Sequence, residues 1–169
     1  QLMIVCALPL YHIFALTACY LLAVRAGGCN LLIPNPRDIA GFVKELAKYQ
    51  VNSFPAVNTL YNGLMHHPDF KKLDFSKLKI ANGGGMATQR PVAEKWLKVT
   101  GISLSEGYGL SETMAATHIN PVRRPMRQCL GIPIFDVDAR VVDPTTFQEL
   151  PRNEVGEVII HGPQVMQGY

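Results

Sequence analysis

Residues 78–106, LKIANGGGMATQRPVAEKWLKVTGISLSE, hold two short segments on either side of an amphipathic one. The outer segments, 78–82 and 102–106, are apolar or β-branched and are bounded by Gly or Asn. Short runs of this kind are typical of strands buried in a parallel sheet.

The middle segment predicts a helix that packs through one face. Its apolar stripe is formed by Val92, Trp96 and Val99. Thr88 is the expected N-cap, and Gly101 is expected to end the helix. Together the three segments predict one strand–helix–strand unit.

The same alternation runs through the first two-thirds of the chain. Asp38 is the expected N-cap of a helix with a clear apolar face. This rhythm predicts an α/β fold, a doubly wound and mostly parallel sheet with flanking helices. The further strands are predicted at 2–8, 29–33 and 51–56, and the further helices at 14–26, 38–50 and 58–66.

The pattern changes after residue 130. In FDVDARVVD (135–143) apolar and polar residues alternate, and EVIIHG (157–162) follows a polar connection, so we expect antiparallel strands here. Two units are predicted: a layered βαβ subdomain at 1–128 and a partial, β-barrel-like subdomain at 129–169. Because both ends of the chain interrupt such patterns, we expect a piece of a longer protein.

Composition favours a packed globular protein. Of 169 residues, 48% are hydrophobic and 17% are charged. The net charge of +3 does not indicate the clustered basic surface that binding of nucleic acid would need. The four cysteines lack CxxC spacing and the five histidines lack a ligand pattern, so no zinc site is predicted and a reducing cytosol is favoured. The apolar N-terminal run has no basic leader, and Pro9, Tyr11 and His12 cut it well below the length of a bilayer span, so neither a signal peptide nor a transmembrane helix is predicted.

One basic cluster occurs in VRRPMRQ (122–128). Its members are Arg123, Arg124 and Arg127, interrupted by Pro125. We interpret it as a solvated loop, with contact to an anion or a membrane surface as the alternative.

Two glycine-rich turns follow two successive predicted strands. They are IANGGGMATQ (80–89) and LSEGYGLSET (104–113). Ligands of an open parallel sheet bind beyond the carboxyl ends of the strands, and glycine lets backbone N–H groups approach a ligand closely. If the two strands are neighbours, the turns lie side by side.

The side chains of the second turn suit a nucleotide. Tyr108 offers a flat surface for a base, while Ser111 and Thr113 offer hydroxyls. Glu112 offers a hard oxygen ligand for Mg²⁺ bound to phosphates. Plain strand–helix connections, with a helix start at SET (111–113), are the structural alternative, because neither GxxxxGK[ST] nor GxGxxG occurs.

The segment EGYGLSET (106–113) resembles the signature Y-G-x-[ST]-E-[ST] of the adenylate-forming enzymes, which include acyl-CoA synthetases, luciferases and the adenylation domains of peptide synthetases. The segments NLLIPNPRDI, KELAKY and LDFSKLK are most similar to bacterial long-chain fatty-acid–CoA ligases. Further segments resemble motifs of the family, in the same order along the chain: ALPLYHIFAL (7–16), NGGGMATQ (82–89), LGIPI (130–134) and GEVIIHGPQVMQGY (156–169).

The resemblance implies a two-step reaction on three partners, a fatty acid, ATP and coenzyme A, with Mg²⁺ as cofactor. The fatty acid attacks the α-phosphate of ATP to give an acyl-adenylate and pyrophosphate, and the thiol of coenzyme A then displaces AMP. The resemblance also implies a cytoplasmic enzyme without a nucleic-acid partner. Peripheral contact with the inner membrane and oligomer formation are left open.

The resemblance assigns nucleotide contacts to both turns. Tyr108 would lie against adenine, with Glu106 and Gly107 beside it. Gly109 belongs to the same turn. The loop that lines the adenine pocket would be formed by Gly83, Gly84 and Gly85.

Three residues are assigned to the chemistry. Ser111 stands where the family usually has Thr, and its hydroxyl would contact the α-phosphate. Glu112 would bind Mg²⁺, which together with hydroxyls stabilises charge on phosphate oxygens. His12 would lie near the acyl and pantetheine pocket, and a hydrogen-bonded core histidine is the structural alternative.

Other parts of the family's machinery are not found among these motifs. They are a phosphate loop with its lysine, a ribose-binding aspartate and the lysine of a small C-terminal domain. We therefore expect the central part of a long-chain fatty-acid–CoA ligase, inactive alone. A related adenylating enzyme for another carboxylic acid and a truncated, non-catalytic binding module are the alternatives.

Overall fold

The computed structural model describes residues 2–126 and 128–169, and its main feature is a sheet of seven strands in the order β2-β1-β3-β4-β5-β6-β7. Strands β1 to β5 pair in parallel, and β6 and β7 are added antiparallel at one edge. The predicted mostly parallel sheet is thus confirmed. The strands are β1 (Met3–Cys6), β2 (Cys29–Leu32), β3 (Ser53–Ala56), β4 (Ile80–Gly83), β5 (Leu104–Leu110), β6 (Ala115–Ile119) and β7 (Ile132–Pro133).

Helices connect the parallel strands, as predicted. The first connection is one unbroken helical stretch whose middle, Leu16–Leu21, is π-helical. The helix predicted to reach residue 50 ends at Leu46. The α-helices are α1 (Ile13–Ala15) and α2 (Leu22–Arg25) on either side of the π-helical segment, then α3 (Ile39–Leu46), α4 (Asn58–His66) and α5 (Arg90–Thr100).

The sheet is covered on both faces. In β1, Val5 belongs to the large hydrophobic core, whereas its neighbours Ile4 and Cys6 pack against Cys19 and Ala23 of the first helical stretch. Successive residues of a strand point to opposite faces of a sheet, so this division identifies two helical layers. The arrangement is that of a doubly wound fold.

An aromatic cluster holds the large core together next to the carboxyl edge of the sheet. Trp96 of α5 is fully buried, with its ring centroid 4.6 Å from that of Tyr61 and 5.4 Å from that of Phe54. The Tyr61 hydroxyl lies 2.6 Å from the carbonyl oxygen of Phe54 and 2.9 Å from that of Asn82. One buried hydroxyl therefore links β3 to β4.

A separate pair of antiparallel strands follows, β8 (Asp138–Val142) and β9 (Glu157–His161). Both strands were predicted from the sequence and are confirmed. The seven-stranded sheet takes in Ile132–Pro133, and the subdomain boundary at 128/129 stays a prediction. No helix within 2–126 or 128–169 combines the length and the hydropathy that crossing a bilayer would require.

Two of the three predicted helix ends are confirmed. The Asp38 side chain accepts a hydrogen bond from the backbone N–H of Gly41 at 2.9 Å, and Gly101 ends α5 with a φ of 75°. The prediction of Thr88 as N-cap is wrong, because Gln89 occupies that position. Thr88 precedes the N-cap, and its backbone N–H donates to the Glu106 carboxylate at 3.2 Å.

Replacing Asp38 with Ala should lower the free energy of unfolding by about 1 kcal/mol, because the N–H of Gly41 loses its acceptor. Asp38→Asn is the matched control. Asn caps helices about as well as Asp, so this variant should stay within roughly 0.3 kcal/mol of wild type. Urea denaturation of the chain measures both. Equal losses would mean that the carboxylate charge, and not the cap, stabilises α3.

Candidate active site

The candidate site lies at the carboxyl edge of the parallel strands. Strands β4 and β5 are neighbours, and Gly83 pairs directly with Glu106. The Gly83–Gly85 loop and the turn that follows β5 therefore lie side by side, as predicted for two parallel strands in contact. Because β1 runs in the same direction, the start of α1 is found at this edge as well.

The glycine loop packs against the beginning of α1. A Cβ atom added to Gly84 would lie 3.0 Å from two carbons of the Phe14 ring, so a side chain here would push against that ring. Gly85 has a φ of 76°, which only glycine adopts without strain. A Cβ atom added to Gly83 would collide with the Thr88 hydroxyl, so all three loop positions have a steric or conformational reason to be glycine. Gly85 is exposed at the edge.

The segment after β5 forms a hairpin and not a helix. Ser111–Thr113 make a single 3₁₀ turn, and β6 then returns antiparallel to β5. The structural alternative, an ordinary strand–helix connection with a helix start at SET, is therefore wrong. The reversal requires positive φ angles at Met114 (50°) and Ala115 (82°), which cost backbone energy in residues other than glycine.

The two hydroxyls of this turn have different surroundings. Thr113 is buried: its hydroxyl accepts from the N–H of Leu110 at 3.0 Å and lies 3.2 Å from the carbonyl oxygens of Leu110 and Ala115. The expectation that Thr113 offers a hydroxyl to a ligand is therefore wrong, because the hydroxyl is buried among these backbone groups. Ser111 is exposed, so its hydroxyl can reach a ligand.

Glu106 joins two loops from a buried position. One carboxylate oxygen accepts from the N–H of Thr88 at 3.2 Å, and the other accepts from the N–H of Gln128 at 3.0 Å. The side chain is 9% exposed, so these backbone donors replace the water that the carboxylate has lost. The predicted nucleotide role of Glu106 stays a prediction, and the residue also fixes the loop that follows β4.

Asn120 is a supporting residue that the sequence analysis missed. It is 1% exposed, its amide lies 2.6 Å from the carbonyl oxygens of Met126 and Cys129, and its side-chain oxygen accepts from the N–H of Met126. Ser105 donates to its carbonyl oxygen at 2.7 Å. The Asn–Pro pair at 120–121 signals a turn, but no sequence pattern reveals that this side chain is buried.

Tyr108 stands at the β-bulge of the hairpin, opposite His118 of β6. The two ring centroids are 6.0 Å apart, with planes inclined by 58°. Burial lowers the pKa of His118, so the imidazole is neutral at pH 7. Tyr108 itself is half-buried, which leaves part of its ring accessible to a flat ligand.

Glu112 carries the one carboxylate predicted to bind a metal. Its oxygen Oε1 accepts a hydrogen bond from the Tyr169 hydroxyl at 2.7 Å, and this bond holds the pKa of Glu112 below its usual value. The group is therefore ionised at neutral pH. In the described part of the chain no three His, Cys, Asp or Glu side chains cluster around a metal position. A single carboxylate fits Mg²⁺, which proteins often hold by one or two carboxylates plus substrate phosphates.

His12 caps α1 at the same edge. Its Nδ1 accepts from the backbone N–H of Phe14 at 3.1 Å, and its imidazole is exposed. The alternative of a core histidine is therefore wrong, because the cap position turns the ring to the surface. Its predicted place near an acyl pocket stays a prediction.

Sequence comparison relates the whole chain to one family. The profile described as AMP-binding enzyme matches residues 1–169. Over 168 residues the chain is 49% identical to a long-chain-fatty-acid–CoA ligase of Escherichia coli O6:H1 strain CFT073, with 99% of this chain and 30% of that protein covered. Over 171 residues it is 30% identical to 4-coumarate–CoA ligase 1 of Petroselinum crispum, with 98% of this chain and 31% of that protein covered. The chain thus spans less than a third of the length of these curated relatives.

A solved structure shares the fold. The crystal structure of ATP-bound MatB from Rhodopseudomonas palustris matches with a TM-score of 0.85 and 27% identity. The match covers 100% of this chain and 33% of that one. Both the sheet and the antiparallel pair of strands therefore belong to an architecture already seen with a nucleotide bound.

Proposed function

Since this chain belongs to the family of AMP-binding enzymes, we propose that it is the central part of the large domain of a long-chain fatty-acid–CoA ligase. The intact ligase would convert a fatty acid, ATP and coenzyme A into acyl-CoA, AMP and pyrophosphate through an acyl-adenylate. The identity of 49% to a long-chain ligase, against 30% to a 4-coumarate ligase, supports a long acyl chain as substrate. The cytoplasm is the proposed location.

The observation that carries this proposal is the direct pairing of Gly83 with Glu106. The pairing brings a glycine loop, exposed at Gly85, next to a turn that bears an aromatic ring, a hydroxyl and a carboxylate. An adenine nucleotide needs these groups together, because its base, phosphates and bound cation lie close to one another. In each turn taken alone, the residues would also suit an ordinary connection between two elements.

Each residue then has a role that its position allows. The ring of Tyr108 would stack on adenine, and the Gly83–Gly85 loop would let the base approach the backbone closely. Ser111 would donate its hydroxyl to an α-phosphate oxygen, and Glu112 would hold Mg²⁺. Mg²⁺, when bound, would neutralise the charge that develops on the phosphate oxygens. His12 would lie on the path of the acyl and pantetheine chains.

Pyrophosphate exchange with a series of acids tests the proposed reaction. The intact ligase should exchange label between pyrophosphate and ATP with long-chain fatty acids, and less with short or aromatic ones. A clear preference for an aromatic or short acid would make it a related adenylating enzyme. If no acid supports exchange but the chain still binds Mg–ATP in calorimetry, the non-catalytic binding module remains.

Tyr108→Ala should raise the KM for ATP about tenfold and change the KM for the fatty acid little, because one base–aromatic stack is worth roughly 1–3 kcal/mol. Tyr108→Phe keeps the ring and is the matched control, with a KM for ATP close to wild type. Steady-state kinetics of the intact ligase measure both constants. Equal losses for ATP and fatty acid would indicate a disrupted hairpin, and the stacking role would then be discarded.

A further inference from the structure

The segment that follows β9 returns to the candidate site and contacts a single residue there twice. The backbone N–H of Met166 donates to the carbonyl oxygen of Glu112 at 2.8 Å. The Tyr169 hydroxyl donates to the Glu112 carboxylate at 2.7 Å, across 57 positions of sequence. One contact fixes the backbone of Glu112 and the other fixes its side chain.

This returning segment is itself attached to the antiparallel pair of strands. Gly162 follows β9 directly, and its carbonyl oxygen accepts from the N–H of Val165 at 3.2 Å in a tight turn. The turn aims the chain back toward Ser111–Thr113. The Val165 turn and the Met166 contact thus anchor the segment three residues before Tyr169, whose side chain is exposed and whose hydroxyl contacts Glu112.

A carboxylate that binds a metal gains from such a partner. Glu112 is half-buried beside the exposed Ser111, and an unrestrained glutamate loses rotamer freedom when it binds. A hydrogen bond to Oε1 fixes the carboxylate plane in advance and leaves Oε2 for another ligand. Partners of this kind typically change metal affinity 10- to 100-fold.

We propose that Tyr169 is a positioning residue for the metal site: its hydroxyl holds the Glu112 carboxylate so that Oε2 faces a divalent cation bound to the nucleotide phosphates. This inference rests on the proposed function, since it requires Glu112 to bind that cation. Tyr169, the last residue of the GPQVMQGY segment, would thus take part in nucleotide binding, a role that the family resemblance alone did not give it. The opposite possibility, in which Tyr169 occupies Glu112 and competes with the cation, predicts a change of opposite sign.

The test is a titration of the intact ligase with Mn²⁺ and ATP, followed by the electron paramagnetic resonance signal of free Mn²⁺. Tyr169→Phe removes the hydroxyl alone and should weaken Mn²⁺–ATP binding about tenfold. Tyr49→Phe is the matched control, because Tyr49 lies just after α3 at the opposite edge of the sheet, and its binding should equal wild type. Glu112→Ala, measured in parallel, reports the contribution of the carboxylate itself.

Each outcome decides the inference. Weaker binding in Tyr169→Phe, with Tyr49→Phe unchanged and Glu112→Ala weaker still, supports the positioning role. Unchanged or tighter binding in Tyr169→Phe, with Glu112→Ala still impaired, overturns it and leaves the proposed function intact. Wild-type binding in Glu112→Ala, or no saturable binding by the wild type, overturns both the metal role of Glu112 and the positioning role of Tyr169.

Discussion

Glu112→Gln should slow acyl-adenylate formation by the intact ligase about 100-fold or more, which corresponds to a loss of roughly 2.7 kcal/mol of transition-state stabilisation. Gln keeps the size of the side chain and an oxygen that can accept from Tyr169, so the variant removes mainly the charge. Within 2–126 and 128–169 no group of three or more His, Cys, Asp or Glu side chains is placed to hold a metal ion. The loss should shrink at high Mg²⁺ concentration, because mass action then compensates for the weaker site.

Pyrophosphate exchange at several Mg²⁺ concentrations measures this effect. Glu154→Gln is the matched control, since Glu154 is an exposed glutamate on the connection between β8 and β9 and should leave exchange unchanged. Urea denaturation should place both variants within about 0.5 kcal/mol of wild type, because Glu154 is exposed and Gln at position 112 keeps the size and the acceptor oxygen of the half-buried Glu112. Full exchange activity in Glu112→Gln at ordinary Mg²⁺ would remove this residue from the metal site.

Gly109→Ala should destabilise the chain by more than about 4 kcal/mol, which is a large fraction of the stability of an ordinary domain. The added Cβ atom would lie 1.3 Å from the carbonyl oxygen of Ala115, well inside the distance at which two atoms can coexist. The obstacle is backbone, and it belongs to a residue already held at a φ of 82°. Neither strand of the hairpin can move aside without breaking the pairing of β5 with β6.

Gly107→Ala is the matched control for this substitution. It lies two residues earlier on the same strand, and its added Cβ atom would be 3.6 Å from the carbonyl oxygen of His118, an ordinary contact. We expect a change within about 1 kcal/mol for this variant. Urea denaturation followed by circular dichroism compares the two. Similar, small losses in both variants would contradict the hairpin register.

The regular part of the fold could be predicted because its signals are local and periodic. The apolar stripe of Val92, Trp96 and Val99 and the glycine stop at Gly101 lie within a few residues of one another, and each reports on a single element. The side-by-side arrangement of the two glycine turns followed from the same reasoning, since parallel strands end at a common edge.

The hairpin after β5 and the contacts that hold it could not be predicted, because they depend on unusual backbone angles and on residues far apart in the sequence. The residue types at Met114 and Ala115 do not indicate positive φ angles, because methionine and alanine usually avoid the left-handed region of backbone conformation. Threonine is a common N-cap residue, which is why the sequence indicated Thr88. In the structure Gln89 is the N-cap, and the backbone N–H of Thr88 donates to the side chain of Glu106, 18 positions away. The Tyr169 contact with Glu112 spans the longest interval of the site, and only the folded chain brings these residues together.

The burial of Trp96 beneath the candidate site gives the chain a built-in optical probe. Trp96 is the only tryptophan in the sequence, and it touches Tyr61, whose hydroxyl reaches the carbonyl oxygen that directly precedes Gly83. Its fluorescence in the folded chain should therefore be blue-shifted and insensitive to soluble quenchers. Any ligand that rearranges the glycine loop will change that emission, so binding can be followed in the unmodified protein without an attached dye.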